Sequence, residues 1–571
     1  MAIVLSTGRA LSSSSNISQT WERPSDWLDM PNLVQGDSKI TMLVEIYEAN
    51  SNYLVLRFTG DYSVNWGDGT ADTNHTSNTN GEHEFLWANA PSSSVNSYGN
   101  RQVIVTITPQ VGSTLTGMVR PLSPYYASGD GGYRYGTSNV KSLKIASTTI
   151  TSLGLACFQW IGLEEFEYVG TNSVTNYTNT FTTCTMLKKI IALDCSSGTN
   201  FSSCFSSCSA LIDIPALDTS NATVLTSMFA TCISLKYIEP LDLSSCTSMV
   251  GAFYNCKVLG NFPCKNMNLV TNIQQAFSAT SIKRVDITIP NLANTYTSFD
   301  GCSSLEIVNL TTNAGTLTNT GFMFRSCKSL KYIKLFDTSN VTSFRNMFQG
   351  ITTMKDFNWI DVSSAVDTQY MFDGCSSLED ASFLNFTTSL TTITGMFQSC
   401  ANLKKLPSTI DCTNITSLQN LFNACVSLEE FPTLTNTSSI TNIYATWKGC
   451  YNLRVAPPLS GALITTREAF ANVTSLISIP NYDMSSITAY PNSYLMAKGA
   501  YNLRESLVTG AKSQHSYANC QLSRTAIVLI FNNLGTNADG RSITVTKNPG
   551  STQLTASDLL IATNKGWTVS S

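Results

Sequence analysis

The feature that most limits what this chain can fold into is a phrase that keeps returning. "FMFRSCKSLKYI" ends at Ile333, "YMFDGCSSLED" spans 370–380, and "GMFQSCANLKKL" ends at Leu406. Each sets Phe, Cys and Leu three residues apart. Aligned on the aromatic, the column runs Phe158, Phe181, Phe205, Phe229, Phe253, Phe277, Phe299, Phe324, Phe348, Phe372, Phe397, Phe422, Trp447 and Phe470, in steps of 22 to 25 residues. Weaker copies follow near Ala497 and Tyr517. A fixed period in this range is the signature of a solenoid, whose coils bury little alone and share one apolar column once stacked.

The logic inside one period repeats as well. "SLKYIKL" (329–335) alternates apolar and polar residues as a half-buried strand does. "DTSN" (337–340) reads as a turn, in which Asp and Ser side chains bond nearby backbone amides. "VTSFRNMFQG" (341–350) brings apolar residues back at three- and four-residue spacing, which predicts a short helix or 3₁₀ segment. Aspartates recur with the period, at Asp194, Asp218 and Asp242 and again at Asp337 and Asp361, so stacking places carboxylates in a row. Turn capping explains such a row; a bound cation is the alternative.

Seventeen cysteines would suggest a disulfide framework in a small secreted chain, but here the number is odd and the chain has 571 residues. Spacing decides. Cys184, Cys208, Cys232, Cys256, Cys302, Cys327, Cys375, Cys400, Cys425, Cys450 and Cys520 each follow the column aromatic by three. Ile161, Thr280, Ile351 and Val473 take the same slot elsewhere, so it reads as an interior packing site, to which free Cys is suited. Single cysteines one period apart, with three histidines in the chain, do not make tetrahedral metal sets. "CFSSC" (204–208) comes nearest to a clustered pair. The expected core ladder includes Phe181, Cys184 and Leu187; Phe229, Cys232 and Leu235; Phe372, Cys375 and Leu378; and Phe397, Cys400 and Leu403. No metal and no cofactor is expected.

Charged residues make up 13% of the chain, against roughly 25% in an average protein. Ser, Thr, Asn and Gly fill the difference. With 42% hydrophobic residues in register, the sequence is that of a folded protein. A net charge of −4 gives no basic field for nucleic acid. No stretch approaches eighteen apolar residues, so no membrane insertion is expected. "MAIVLSTGRALSSSS" lacks a basic n-region and reads as no signal peptide, so synthesis in a cytosol is expected.

The repeat resembles the BspA-like leucine-rich repeat, in the variant whose phrase runs Asn-Val-Thr-Ser-Met-Phe-x-x-Cys-x-Ser-Leu, over about 158–520. The resemblance implies a β-rich solenoid used for display and binding, without catalysis. Ahead of it, "YLVLRFTG" and "RQVIVTITPQ" are strand-like and flank Trp66-Gly67-Asp68-Gly69-Thr70 and then His83-x-Phe85. That phrase resembles the polycystic-kidney-disease-type (PKD-like) β-sandwich, a spacer or binding module. Asp68 and His83 have no Ser or Cys nucleophile phrase beside them and read as structural.

The expected organisation is an N-terminal docking arm at 1–40, a PKD-like β-sandwich at 41–110 and a linker at 111–145. A leucine-rich-repeat-like solenoid follows at 146–522 and an α/β cap at 523–571. The arm pairs a flexible Ser run with "WERPSDWLDMP", which suits docking on a partner. In the linker, Tyr125, Tyr126, Tyr133 and Tyr135 suit either packing on the first coils or contact with a sugar or protein. In the cap, Thr555 and Asp558 form a capping-box phrase before a helix.

No P-loop, Gly-x-Ser-x-Gly, His-Glu-x-x-His or calcium-loop phrase occurs. Arm, sandwich and repeats in this order resemble structural proteins of tailed-phage virions, assembled in the host cytoplasm. The expected function is a tail fibre or other exposed virion component that meets the host surface. Its partners would be other virion proteins through the N-terminal region and a host glycan or protein, with several copies per particle. A bacterial cell-surface adhesin of the same repeat family is one alternative, and a solenoid glycan hydrolase of a phage tail is another. Tyr444, Trp447 and Tyr451 are candidate surface contacts.

Overall fold

The computed structural model describes residues 21–48, 52–119, 139–154, 156–171, 173–334, 336–487, 496–537 and 539–571, with the backbone of 125–126 and 133–134. The fold is a β-solenoid with about 24 residues per coil and little helix. The chain divides into two compact units: residues 1–173, 183–194 and 208–216, and residues 174–182, 195–207 and 217–571.

In the first unit the strands are β1 (Lys39–Ile46), β2 (Asn52–Thr59), β3 (Tyr62–Asn65), β4 (Thr73–His75), β5 (Asn80–Phe85), β6 (Arg101–Pro109) and β7 (Gly117–Met118). After the short β8 (Tyr125–Tyr126) and β9 (Tyr133–Arg134) come β10 (Val140–Ala146), β11 (Glu165–Val169) and β12 (Lys189–Ala192). One sheet has the order β12-β11-β10-β1-β6-β3-β4, and a second has the order β5-β2-β7. Phe85 on β5 meets Trp66, just past β3, at a ring separation of 6.2 Å, so apolar side chains of the two sheets face each other.

Two expectations are corrected in this unit. Residues 140–145 fall within the expected linker, but "VKSLKIA" (140–146) is strand β10. It pairs antiparallel with β1 on one side and parallel with β11 on the other. The change of pairing therefore falls within one continuous sheet, because its alternating pattern suits strand on either side. The arm is corrected as well. Residues 21–34 pack on their own unit, with Trp27 8% and Leu33 5% exposed. The Leu28 amide donates to Gln102 Oε1 at 2.7 Å, and Arg23 pairs with the buried Glu165. An aromatic segment docks on whatever apolar face lies within reach, and here its own sheet supplies one. Residues 1–20 and Tyr135 lie outside the described residues, as do the side chains of Tyr125, Tyr126 and Tyr133.

In the second unit the strand segments are short: β13 (Leu241–Asp242), β14 (Cys264–Lys265), β15 (Arg284–Thr288), β16 (Ile307–Thr311) and β17 (Tyr332–Ile333). They continue with β18 (Thr409–Asp411), β19 (Thr433–Thr435), β20 (Ser478–Ile479), β21 (Glu505–Ser506) and β22 (His515–Ser516). Successive strands pair in parallel, coil on coil. The column rings from Phe181 to Phe422 stack at 5.1 to 6.1 Å, within 16° of parallel. Those separations exceed the roughly 4.8 Å between sheet neighbours, so the rings are slid sideways, the arrangement their quadrupoles favour.

The segment expected to be a short helix or 3₁₀ segment makes three-back bonds of the 3₁₀ kind at alternate residues only, and so is a run of turns. Met228, Ala230 and Cys232 donate their amides three residues back, to Leu225, Ser227 and Phe229. The alternate amides of Ser227, Phe229 and Thr231 leave the coil and donate to Val250, Ala252 and Tyr254 of the next one. A helix would keep every amide within the coil. Positive φ at Ser227 (55°) and Thr231 (61°) diverts them, and Gly251, Asn255, Gly374 and Asn420 serve the same positions in other coils. The abundance of Ser, Asn and Gly thus has a backbone cause.

The chain ends with α1 (Arg524–Asn533), β23 (Ser542–Thr544), α2 (Ala556–Thr563) and β24 (Thr568–Ser570). Thr555 and Asp558 form the capping box read from the sequence. Arg524 also grips Asp558 with two hydrogen bonds of 2.8 and 3.1 Å, joining the two helix starts.

Candidate functional site

The cysteine slot is a hydrogen-bonding position as well as a packing one. All seventeen cysteines are buried. The thiols of Cys232, Cys256, Cys302, Cys375, Cys400, Cys425 and Cys450 each donate to the carbonyl of the column phenylalanine one coil earlier, at 3.0 to 3.1 Å. Thr280, in the same slot, donates instead within its own coil, to Phe277 O at 2.8 Å. Burial pushes these thiols up, to about 12 for Cys256 and Cys450, and well above the ordinary value for Cys400 and Cys425. Such thiols are poor nucleophiles and poor metal ligands. The first coil departs from the expected register. Ile161 is 50% exposed, while Cys157, Trp160 and Leu163 are buried, so the column there starts one residue earlier than Phe158.

The aspartates are turn caps. Asp218, Asp242, Asp337 and Asp361 each accept the amide two residues on, at 2.8 to 3.0 Å. The Ser339 amide and hydroxyl hold the Asp337 carboxyl below its ordinary value. Among the described residues no group of three or more His, Cys, Asp or Glu side chains is placed to hold a metal ion. In the first unit, Asp68 accepts from His83 Nε2 at 2.8 Å and from the Thr70 hydroxyl at 2.6 Å. Burial raises the Asp68 carboxyl, and the Thr70 and His83 hydrogen bonds outweigh it, leaving the group below its ordinary value. The His83 ring stacks on Trp66 at 4.6 Å. The pair braces the Gly67–Gly69 turn.

Trp447 is not a surface contact. Its ring is 0% exposed and stacks on Phe470 at 4.9 Å and 2°, because position 447 belongs to the core column. Tyr451 is 47% exposed. Tyr444 is half-buried on the turn side of its coil, with Arg467 above its ring at 5.9 Å. That side carries further residues the sequence reading did not single out. Tyr296, Phe322 and Tyr370 lie two or three positions before their column rings and are half-buried. Phe322 lies edge-to-face with Tyr296 at 5.5 Å and under the Arg325 guanidinium at 4.8 Å. Asp300 binds that guanidinium through both oxygens.

The same side carries amides. Gln349 donates to Asp373 at 2.8 Å, and Gln398 bonds it from the following coil. Burial raises the Asp373 carboxyl above its ordinary value, against the pull of these two amides. Two of the rings also have a place made for them. A Cβ on Gly321 would lie 3.1 Å from Tyr296, and one on Gly395 would lie 2.2 Å from Tyr370. Both glycines stand one coil after the tyrosine at the same repeat position, a pairing legible in the sequence. Gly321 does not have a positive φ, so the ring rather than the backbone calls for glycine there.

A family model described as a Mycoplasma protein of unknown function, DUF285, matches residues 158–266, 290–409 and 384–456. No curated protein matches. Among solved structures, the chain is similar to a leucine-rich repeat protein from Bacteroides ovatus, at 16% identity and a TM-score of 0.33, covering 73% of this chain and 96% of that one. It is also similar to a leucine rich cell surface protein from Faecalibacterium prausnitzii, at 17% identity and a TM-score of 0.33, covering 70% and 91%. A leucine-rich repeat protein from Eubacterium ventriosum gives 16% identity and a TM-score of 0.28, covering 63% and 90%.

Proposed function

We propose that the chain is a non-catalytic attachment protein, whose coils present a hydrogen-bonded polar surface to a glycan or protein on a cell. The observation that carries this reading is the turn side of the second unit. Asp300 is engaged by Arg325 and Asp373 by two glutamines, the aromatic rings are half-buried, and glycines of the next coil leave room for Tyr296 and Tyr370. Glycoside hydrolysis needs a carboxylate pair free to act on one bond, roughly 5–10 Å apart. Asp300 and Asp373 stand three coils apart, and each is already held by its neighbours.

The finer reading is a receptor-facing virion component such as a tail fibre, held to the particle through the first unit. What supports it is the order of sandwich and solenoid, together with the Trp66–Thr70 turn that His83 braces, which suits a PKD-like spacer. Mass spectrometry of purified phage particles and of peptides shaved from intact bacterial cells tests it. Recovery with particles is expected. Recovery from the cell surface alone would make the protein an adhesin, and recovery from neither would remove the attachment reading.

A further inference from the structure

We infer that the turn side of the coils from Tyr296 to Tyr444 binds an uncharged polysaccharide chain running across successive coils. This deepens the attachment reading and rests on it. The argument begins with what the rings do. Tyr296, Phe322, Tyr370 and Tyr444 are not part of the core column, which is closed by its own phenylalanines, yet Gly321 and Gly395 leave room for two of them. Tyrosine kept half-buried at a surface offers a ring body for the apolar face of a sugar and a hydroxyl for its edge.

The second part of the argument is electrostatic. The cations on this side already have anions. Arg325 is paired with Asp300, Lys448 lies 2.5 Å from Glu468, and Arg345 lies 3.9 Å from Asp367. That leaves little net charge to attract nucleic acid or an acidic glycan. What remains for recognition is amide and hydroxyl: Gln349 and Gln398 on either side of Asp373, and Gln419, to which Asn442 donates at 3.2 Å. Planar amides and an oriented carboxylate pair well with vicinal hydroxyl groups. An apolar peptide has no footing here, because Val366, a large exposed aliphatic residue of these coils, lies at another repeat position.

The third part is spacing. Tyr296 and Tyr370 are separated by three coils of roughly 5 Å each. One pyranose unit of an extended chain advances by about the length of one coil, so a chain laid across the coils meets the Asp300–Asp373 stretch between two rings.

The test is affinity electrophoresis of the full chain through gels containing dextran, mannan, galactan or cellulose ether, with heparin as the charged control. Retardation by at least one neutral polysaccharide and none by heparin is expected. Tyr296→Ala with Tyr370→Ala should weaken it by about tenfold or more. Tyr237→Ala with Tyr332→Ala, on exposed tyrosines of the strand side, should leave it unchanged, and circular dichroism checks that each variant keeps the parent fold. No retardation by any neutral polysaccharide, or equal retardation of the two double variants, overturns the inference. Adhesion of the parent and the turn-side variant to whole target cells separates the two readings. Equal adhesion by both would sink the polysaccharide site and leave attachment standing, while adhesion by neither would sink both.

Discussion

Phe372→Ala measures how the second unit is held together. The ring is 0% exposed and stacks between Phe348 at 5.7 Å and Phe397 at 5.9 Å, with Phe357 edge-on at 5.1 Å. Removing a buried phenylalanine costs about 3–5 kcal/mol when the site cannot collapse. Collapse is limited here, because the backbone on both sides is fixed by amides running from coil to coil. Since coils contact only their neighbours, the loss should stay local. At about 1.4 kcal/mol per factor of ten, the opening that exposes these amides becomes roughly a hundred- to several-thousand-fold more frequent. Hydrogen exchange read by mass spectrometry should show this at Phe348, Phe372 and Gly374, whose amides donate to Met371, Met396 and Gln398. Phe205 and Phe229, whose amides donate to Met228 and Ala252 six or more coils away, should exchange as in the parent. Equal acceleration at both places would show that the unit opens as one body and refute the nearest-neighbour reasoning. An effect below tenfold at Phe372 would show that the ring is not structural.

The thiol ladder predicts an order of substitution. Cys375→Ala loses both volume and the donor to Phe348 O and should cost about 2 kcal/mol, while Cys375→Thr, which keeps the volume and can satisfy its hydroxyl within its own coil as Thr280 does, should cost less than about 1, both read from denaturant midpoints. Alkylation should be slow on the native protein and should reach most of the seventeen cysteines once it is denatured without reductant; a quantitative Cys375–Cys400 link would contradict the ladder. The turn aspartates set an acid limit. Asp337 and Asp411 are held below the ordinary value of 3.8, so their stabilisation is present above it and lost as pH falls through the lower native values, giving a melting temperature that drops below about pH 4. Asp373 has the opposite sign, because its raised carboxyl becomes costly to ionise as pH rises past 3.8. Asp373→Asn should therefore gain in melting temperature relative to the parent more at pH 7 than at pH 3. Chelator should leave the melting temperature unchanged; a drop of several degrees would point to a bound cation in the aspartate row.

Past the first coil, periodicity determined which side chains of the column point inward. The steps of 22 to 25 residues placed Phe229, Cys232 and Leu235 in one buried register, and the Asp-x-Ser and Thr555–Asp558 phrases fixed local caps whose partners lie two or three residues away. What depended on distant partners was decided only by the tertiary structure. Three- and four-residue spacing suits a helix, but the carbonyls of the next coil draw alternate amides outward, and turns result. The register at Cys157 slips by one because burial of Trp160 outweighs the continued column. The spacing of Trp447 suits a core ring or a surface contact, and its stack on Phe470 makes it a core ring. Strand β10 and residues 21–34 took their places from sheet neighbours supplied by other parts of the chain. The turn-side rings were visible as tyrosines followed one coil later by glycine, but only the stacked backbone shows that the two meet. A short motif carries its own local hydrogen bonds, whereas contacts between coils are made by residues a full period apart, and their geometry exists only once the coils are stacked.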